Sequence, residues 1–171
     1  MSLTHLLHFL ILTAAAFILC SCTTVATFAV LNESEKPIEL IYTLPKISSS
    51  NRVTCPDDRL FRKPRVQAKG LIDELAYGRG TLNPVAEYKC DEASGEVTIQ
   101  LAPGQAVSLF HLGGYSGHPT EENAKNYGYL EHSLATLRVR GQAGEMQFTG
   151  TQVTRDFEKT SNGLYVLVFR G

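Results

Sequence analysis

The fold class is decided by the stretch Val97-Thr-Ile-Gln-Leu-Ala-Pro-Gly-Gln-Ala-Val-Ser-Leu-Phe-His-Leu112. Its first five residues alternate apolar and polar side chains, which is the period of a half-buried β-strand. Pro103 and Gly104 then favour a turn, and the apolar residues from Ala106 to Leu112 favour a returning strand. The stretch therefore predicts two antiparallel strands joined by a tight turn.

Short strands of the same character are predicted on both sides of this hairpin. The clearest are Thr27–Leu31, Ile38–Leu44, Leu134–Arg140 and Leu164–Phe169. The third alternates strictly, the fourth is apolar on both faces as expected of a central strand, and Asn162-Gly163 before it is a tight-turn signal. About seven or eight short strands with little helix predict an all-β fold, either an antiparallel β-sandwich or a small barrel.

Two segments predict short helical turns. Leu71, Ile72 and Leu75 have helical spacing, but the glycines at positions 70, 78 and 80 limit a helix there to about two turns. Thr120, followed by two acidic residues, is a helix-start signal for one or two turns up to Asn126.

The N-terminal segment contains no Lys, Arg, Asp or Glu before Glu33. Its apolar run ends in Leu19-Cys20-Ser21-Cys22, with a branched apolar residue three positions before a cysteine and a small residue directly before it. This motif resembles the lipobox of bacterial lipoproteins, in which the chain is cut before the cysteine and the thiol is acylated. The resemblance implies a cleaved signal peptide at 1–21 and a lipid-anchored tether at 22–26. The β-sandwich predicted from the strand pattern would then form one domain at 27–171.

The resemblance also implies a location. In bacterial lipoproteins the residue after the acylated cysteine influences sorting, and Thr23 rather than Asp implies the periplasmic face of the outer membrane. Two alternatives stay open. One is an ordinary secretory signal. The other is an uncleaved anchor, since 9–31 is uncharged and about 20 apolar residues span a bilayer.

The number of cysteines supports a location outside the cytoplasm. Of the four cysteines, cleavage would remove Cys20 and acylation would use Cys22, which leaves Cys55 and Cys90. Two cysteines in an oxidising compartment predict a disulfide. Two buried free thiols are the alternative.

Residues 52–69 form a basic segment, with six Lys and Arg side chains against two Asp, although the net charge of the chain is −1. Clustered positive charge favours contact with anionic lipid head groups, lipopolysaccharide or an acidic partner. The candidate binding residues are Arg59, Arg62, Lys63 and Arg65. The alternative without a binding role is a solvent-exposed loop whose positive charge is balanced by acidic residues elsewhere in the chain. The overall charge and the expected compartment argue against nucleic acid.

The connection from His111 to Tyr129 is a second candidate binding segment, because it contains four glycines, three tyrosines and two histidines between two predicted strands. Long loops on a rigid β scaffold often carry binding groups, and tyrosine suits the recognition of sugars and protein surfaces. The candidate residues are Tyr115, His118, Tyr127 and Tyr129.

An enzyme is the alternative function. His111, His118 and His132 could hold a metal or act in hydrolysis, but no metal-binding motif makes them converge. Gly114-Tyr-Ser-Gly-His118 lacks the last glycine of a nucleophile elbow. We therefore expect a non-enzymatic module without a cofactor, anchored to the membrane by acyl chains on Cys22, that binds or supports another envelope protein or a glycan.

A further resemblance gives a minor alternative. Tyr88-Lys-Cys90-Asp-Glu, followed by Val97–Leu101, resembles the start of the membrane-bound inhibitors of c-type lysozyme, which are small β-barrel lipoproteins. This chain departs from those proteins, since it has no cysteine after Cys90 and lacks their Ser-Ala-Ser-Gly loop. The resemblance implies a lysozyme-inhibitor-like protein.

Overall fold

A computed structural model of the chain shows a sandwich of two five-stranded β-sheets, so the predicted all-β sandwich is confirmed. The structure describes residues 25–43, 55–56, 63–76, 83–113, 136–149, 156–161 and 163–171. Their strands are β1 (Val25–Asn32), β2 (Ile38–Thr43), β3 (Arg65–Ala68), β4 (Tyr88–Asp91), β5 (Glu96–Leu101), β6 (Gln105–Gly113), β7 (Thr136–Gly141), β8 (Gly144–Thr149), β9 (Glu158–Ser161) and β10 (Leu164–Phe169). A 3-10 helix covers Lys69–Leu75. These described strands number ten, more than the seven or eight predicted.

The strands are ordered β3-β6-β1-β10-β9 in one sheet, called sheet A, and β4-β5-β2-β7-β8 in the other, called sheet B. Neighbouring strands are antiparallel with one exception among the pairs described. β1 runs parallel to β10, with Thr27 opposite Leu164 and Asn32 opposite Phe169. A parallel pair needs a long connection, and here the rest of the domain connects the two strands.

Phe28 lies at the centre of the core between the sheets. Its ring stacks on Phe110 at a centroid distance of 4.6 Å and on Tyr165 at 5.0 Å, and meets the edge of Phe157 at 5.4 Å. The pairing of β1 with β6 contains a β-bulge here, since Phe28 lies opposite Phe110 but Ala29 lies opposite Ser108. The extra residue, Leu109, joins the core together with its neighbour Phe110, because a bulge turns two successive side chains to one face.

The outer face of sheet A carries a second, smaller core under the 3-10 helix. Leu75 is fully buried against a group of sheet residues, and Ile72 packs beside it; the group consists of Ala29, Leu31, Ala106, Leu164 and Val166. The short helix predicted around these residues is a 3-10 helix, and Leu71, which was expected to share its apolar face, is 51% exposed. A 3-10 helix repeats every three residues, so Ile72 and Leu75 share a side from which Leu71 is turned away.

Several predicted boundaries also change. β1 begins at Val25, so the last two residues of the predicted tether 22–26 lie in the sheet, and Ala26 is buried. The sequence at 146–157 predicts one strand with a bulge or bend at Gly150, whereas β8 ends at Thr149 and a separate strand, β9, precedes the last turn. That turn is the predicted hairpin connection, and Gly163 has a φ of +78° there. The helical turn predicted at 120–126 lies outside the described residues.

Two core tyrosines give contrasting predictions. Tyr42 is 1% exposed, and within the described part of the chain its hydroxyl has no hydrogen-bond partner, whereas the Tyr88 hydroxyl donates to the Pro56 carbonyl oxygen at 2.9 Å. Burial raises the pKa of Tyr42 far above its usual value, and the charge interaction with Tyr88 raises it further by a smaller amount. The phenol therefore stays neutral.

We expect Tyr42→Phe to leave the free energy of unfolding unchanged or raise it by up to about 1 kcal/mol, because the hydroxyl makes no hydrogen bond to the described residues. Tyr88→Phe should lower it by about 1 kcal/mol, because the Pro56 carbonyl loses its donor. Urea unfolding followed by circular dichroism compares the two variants. A loss in Tyr42→Phe as large as that in Tyr88→Phe would show that the Tyr42 hydroxyl has a partner.

Candidate functional site

The two ends of the sandwich differ in how the strands are connected. At one end, called the turn end, short turns join β1 to β2 (33–37), β5 to β6 (102–104) and β7 to β8 (142–143). The sheets meet there, because a β-carbon at Gly141 of sheet B would lie 2.6 Å from the ring of Phe169 in sheet A. The opposite end, called the entry end, contains the first residue of β1, Val25, paired with Gly113 of β6.

At the entry end, several strands end at long segments of chain that connect them to the next strand. In sheet B, Thr43, Thr136 and Thr149 lie side by side there, because β2 runs back from the turn end. The segment that contains the candidate residues Tyr115, His118, Tyr127 and Tyr129 therefore starts and finishes at this end, between Gly113 and Thr136. These four candidates themselves lie outside the described residues, as do Cys22, Arg59 and Arg62.

The predicted disulfide between Cys55 and Cys90 is confirmed, with the two α-carbons 5.9 Å apart. Cys90 lies in β4, one residue before the strand reaches the β4–β5 turn at the entry end. The hydrogen bond from Tyr88 to Pro56 fixes the next residue of the same loop. The disulfide thus attaches the basic segment to the edge of sheet B.

The described part of the basic segment uses its cations in contacts within the domain. Arg65 Nη1 donates to the Asn83 carbonyl oxygen at 2.9 Å, and the Arg65 backbone N–H donates to the Ser108 hydroxyl at 3.1 Å. Lys69 pairs with Glu33 at 2.6 Å. Arg65, a candidate binding residue, therefore fixes the backbone at Asn83 next to β3. Lys63, another candidate, is half-buried and also interacts within the protein.

Asn32 organises the turn end, and sequence reasoning missed it. Its buried side chain donates to the Lys36 and Leu101 carbonyl oxygens at 2.8 and 3.0 Å and accepts from the Ser34 N–H and hydroxyl at 3.0 and 2.6 Å. Its own carbonyl accepts from the Gly104 N–H at 2.8 Å. The only sequence signal was Asn followed two residues later by Ser, the pattern of an Asx turn.

A cleft of about 460 Å³ opens at the turn end, and it was not predicted either. Its lining residues are Glu33, Ser34, Glu35, Lys36, Gln142, Ala143, Phe169 and Gly171. Glu33 accepts from Lys69 and from Arg170 Nε at 2.9 Å. The hydrogen bond from Lys69, and then that from Arg170, holds the pKa of the Glu33 carboxyl below its usual value. The cleft therefore has a charged rim above an aromatic ring.

Glu33 gives a pH-dependent prediction. Because its pKa in the folded state is lower than the ordinary value of 4.5, its ion pairs stabilise the fold above pH 4.5 and lose this effect as the pH falls through the lowered pKa. Glu33→Gln should therefore lower the melting temperature at pH 7, and the difference from the parent protein should shrink in acid. Glu35→Gln, an exposed position in the same turn, is the charge-matched control. An equal loss in both variants would contradict the role of the two ion pairs.

The outer face of sheet B carries an exposed network of ion pairs. Arg138 pairs with Glu96 at 2.9 Å, and Arg140 bridges Glu145 at 2.9 Å and Glu39 at 3.1 Å. The hydrogen bond that Arg140 donates to Glu145 is the main reason that the pKa of Arg140 is raised. The predicted alternation of β7 is confirmed, since Leu137 and Val139 are fully buried on its other face. The network forms a flat, hydrophilic surface across four strands.

His111 is the candidate metal ligand or catalytic residue that the structure describes. Its Nδ1 and the hydroxyl of buried Thr27 share a hydrogen bond of 2.8 Å within sheet A. His118 and His132 lie outside the described residues. Among the residues that are described, no three His, Cys, Asp or Glu side chains are grouped so as to hold a metal. The same residues contain no helix with the length and apolar character needed to cross a membrane.

Comparison of the chain with models of known protein families, with curated proteins and with solved structures gave no match.

Proposed function

We propose that this protein is a lipid-anchored module of a bacterial cell envelope, acylated on Cys22 and held at the periplasmic face of the outer membrane. The disulfide carries this proposal. It occupies Cys55 and Cys90, so that Cys22 is the one thiol left after the signal would be removed. Disulfides persist outside the cytoplasm and are rare inside it, which agrees with the compartment implied by the lipobox-like motif.

The proposed role is non-enzymatic: the domain binds or supports another envelope protein or a glycan. Two features support this. Described charged residues, such as Glu33 and Arg140, are paired with neighbouring side chains in surface networks. The rigid sandwich also carries long connections at its entry end, and loops on such a scaffold are common binding elements. The proposed contact residues are Tyr115, His118, Tyr127 and Tyr129, together with Arg59 and Arg62, because Arg65 and Lys63 are already used in contacts within the domain.

Fatty-acid labelling tests the anchor. Cells that produce the full chain are fed a fatty acid with a terminal alkyne, and incorporation is measured on the purified protein. Label should appear in the parent protein and in Cys20→Ala, and it should be absent from Cys22→Ala. Label that persists in Cys22→Ala, or its absence from the parent protein, would refute the proposed anchor.

A further inference from the structure

We infer that the anchored domain stands end-on at the membrane, with its entry end against the lipid head groups and its turn end directed away from them. This inference rests on the proposed acylation of Cys22. It assigns the entry end as a surface for lipid head groups, and it places the cleft at the far end of the domain.

The short reach of the chain between Cys22 and the sheet is the first argument. Val25 is already paired with Gly113, and three peptide units, each spanning at most about 3.6 Å, give a maximum of about 11 Å from Cys22 to Val25. β1 cannot easily release residues to lengthen this link. The Ala26 side chain and Thr27 are buried, and Thr27 bonds to both His111 and the Gly163 carbonyl oxygen.

The direction of β1 is the second argument. Its eight residues run from the entry end to Asn32 at the turn end, which corresponds to about 25 Å at 3.3 Å per residue. β1 lies between β6 and β10 as the central strand of sheet A, so the attachment point is near the middle of that sheet rather than at an outer edge. A short link there holds the entry end at the bilayer.

The charge of the two broad faces is the third argument, because it disfavours a domain lying on its side. On the face of sheet B, Glu39, Glu96 and Glu145 are paired with Arg138 and Arg140, so the positive charges there are balanced by carboxylates. On the side of sheet A, the 3-10 helix exposes Asp73 and Glu74, and its Lys69 is paired with Glu33. Anionic head groups repel such acidic groups and attract basic ones. Neither face therefore offers a surface that would hold the domain flat on an anionic bilayer.

Two consequences follow for function. Gly113 and Thr136, the two residues that bound one long connection, lie next to the membrane surface. Cys55, which the disulfide attaches to β4, also lies there. The cleft beside Glu33 and Gln142 faces the opposite way, where a component that is not embedded in the membrane can reach it.

Quenching of a fluorescent amino acid by a lipid tests the orientation. The residue is placed either at Glu92, in the β4–β5 turn at the entry end, or at Gln142, in the β7–β8 turn at the turn end; both positions are exposed and lie in turns between strands of sheet B. The acylated protein is bound to phosphatidylglycerol-containing vesicles that carry a nickel-chelating lipid. Since the two ends are about 20 Å apart along β5, quenching at Glu92 should exceed that at Gln142 by about threefold or more.

A matched control inserts twelve Gly and Ser residues between Thr24 and Val25, which should make quenching at the two positions similar. Equal or reversed quenching without the insertion would overturn the end-on orientation. Unequal quenching that persists with the insertion would overturn the role of the short link. Mass analysis of each sample separates these results from failure of the proposed anchor, since a chain without acyl groups refutes the anchor itself.

Discussion

Phe28→Ala should lower the free energy of unfolding by about 3–5 kcal/mol, as is typical for truncation of a buried phenylalanine. Phe28 has no exposed surface, lies on the central strand of sheet A and contacts the rings of Phe110, Phe157 and Tyr165. The remaining cavity would be enclosed by these rings and by the bulge of β6. Because strands on both sides of β1 hold the backbone in place, little collapse into the cavity is expected.

Urea unfolding at neutral pH measures this loss. Phe148→Ala is the matched control, since Phe148 is also buried but lies on β8 at the edge of sheet B. Edge strands relax more readily, so the control should lose less. An equal or larger loss in Phe148→Ala would contradict the position of Phe28 at the centre of the core.

Removing the disulfide should have the second large effect. Replacing both Cys55 and Cys90 by Ser should lower the free energy of unfolding by about 3–4 kcal/mol, because the bond closes a loop with a sequence separation of 35 and restricts the unfolded chain. The loss should also release the basic segment from β4. Trypsin should then cut near Arg52 and Arg59 more quickly than in the parent protein.

Reductant provides the control for this variant. It should lower the unfolding midpoint of the parent protein to that of the double variant, and it should leave the double variant unchanged. A parent protein whose midpoint does not respond to full reduction would show that the bond contributes nothing to stability.

Local patterns predicted the strands well. Val97, Ile99 and Leu101 are buried, and so are Leu137 and Val139, because alternation along one strand decides which side chains face the core. The disulfide was also predictable, since the lipobox-like motif accounts for the other two cysteines. These features depend on neighbouring residues or on the number of cysteines.

Contacts between distant residues were not predictable in this way. The parallel pairing of β1 with β10 joins the two ends of the domain, and the bulge at Leu109 lies in the pairing of β6 with β1, which is distant in the sequence. The same holds for the candidate site. From the sequence, Arg65 and Lys69 looked like part of an exposed basic patch. Their partners, Asn83 and Glu33, are distant in the sequence and are identified only in the folded chain.

Intact mass of the protein purified from membranes, before and after reduction, tests the central claim most directly. We predict a chain that begins at Cys22, carries added acyl mass and gains about 2 Da on reduction of the one remaining disulfide. Cys22→Ala should lack the acyl mass. A parent protein that retains residues 1–21 without acyl groups would contradict the account, because Cys22 would then be a free thiol and the segment before Val25 would not be a lipid-anchored link.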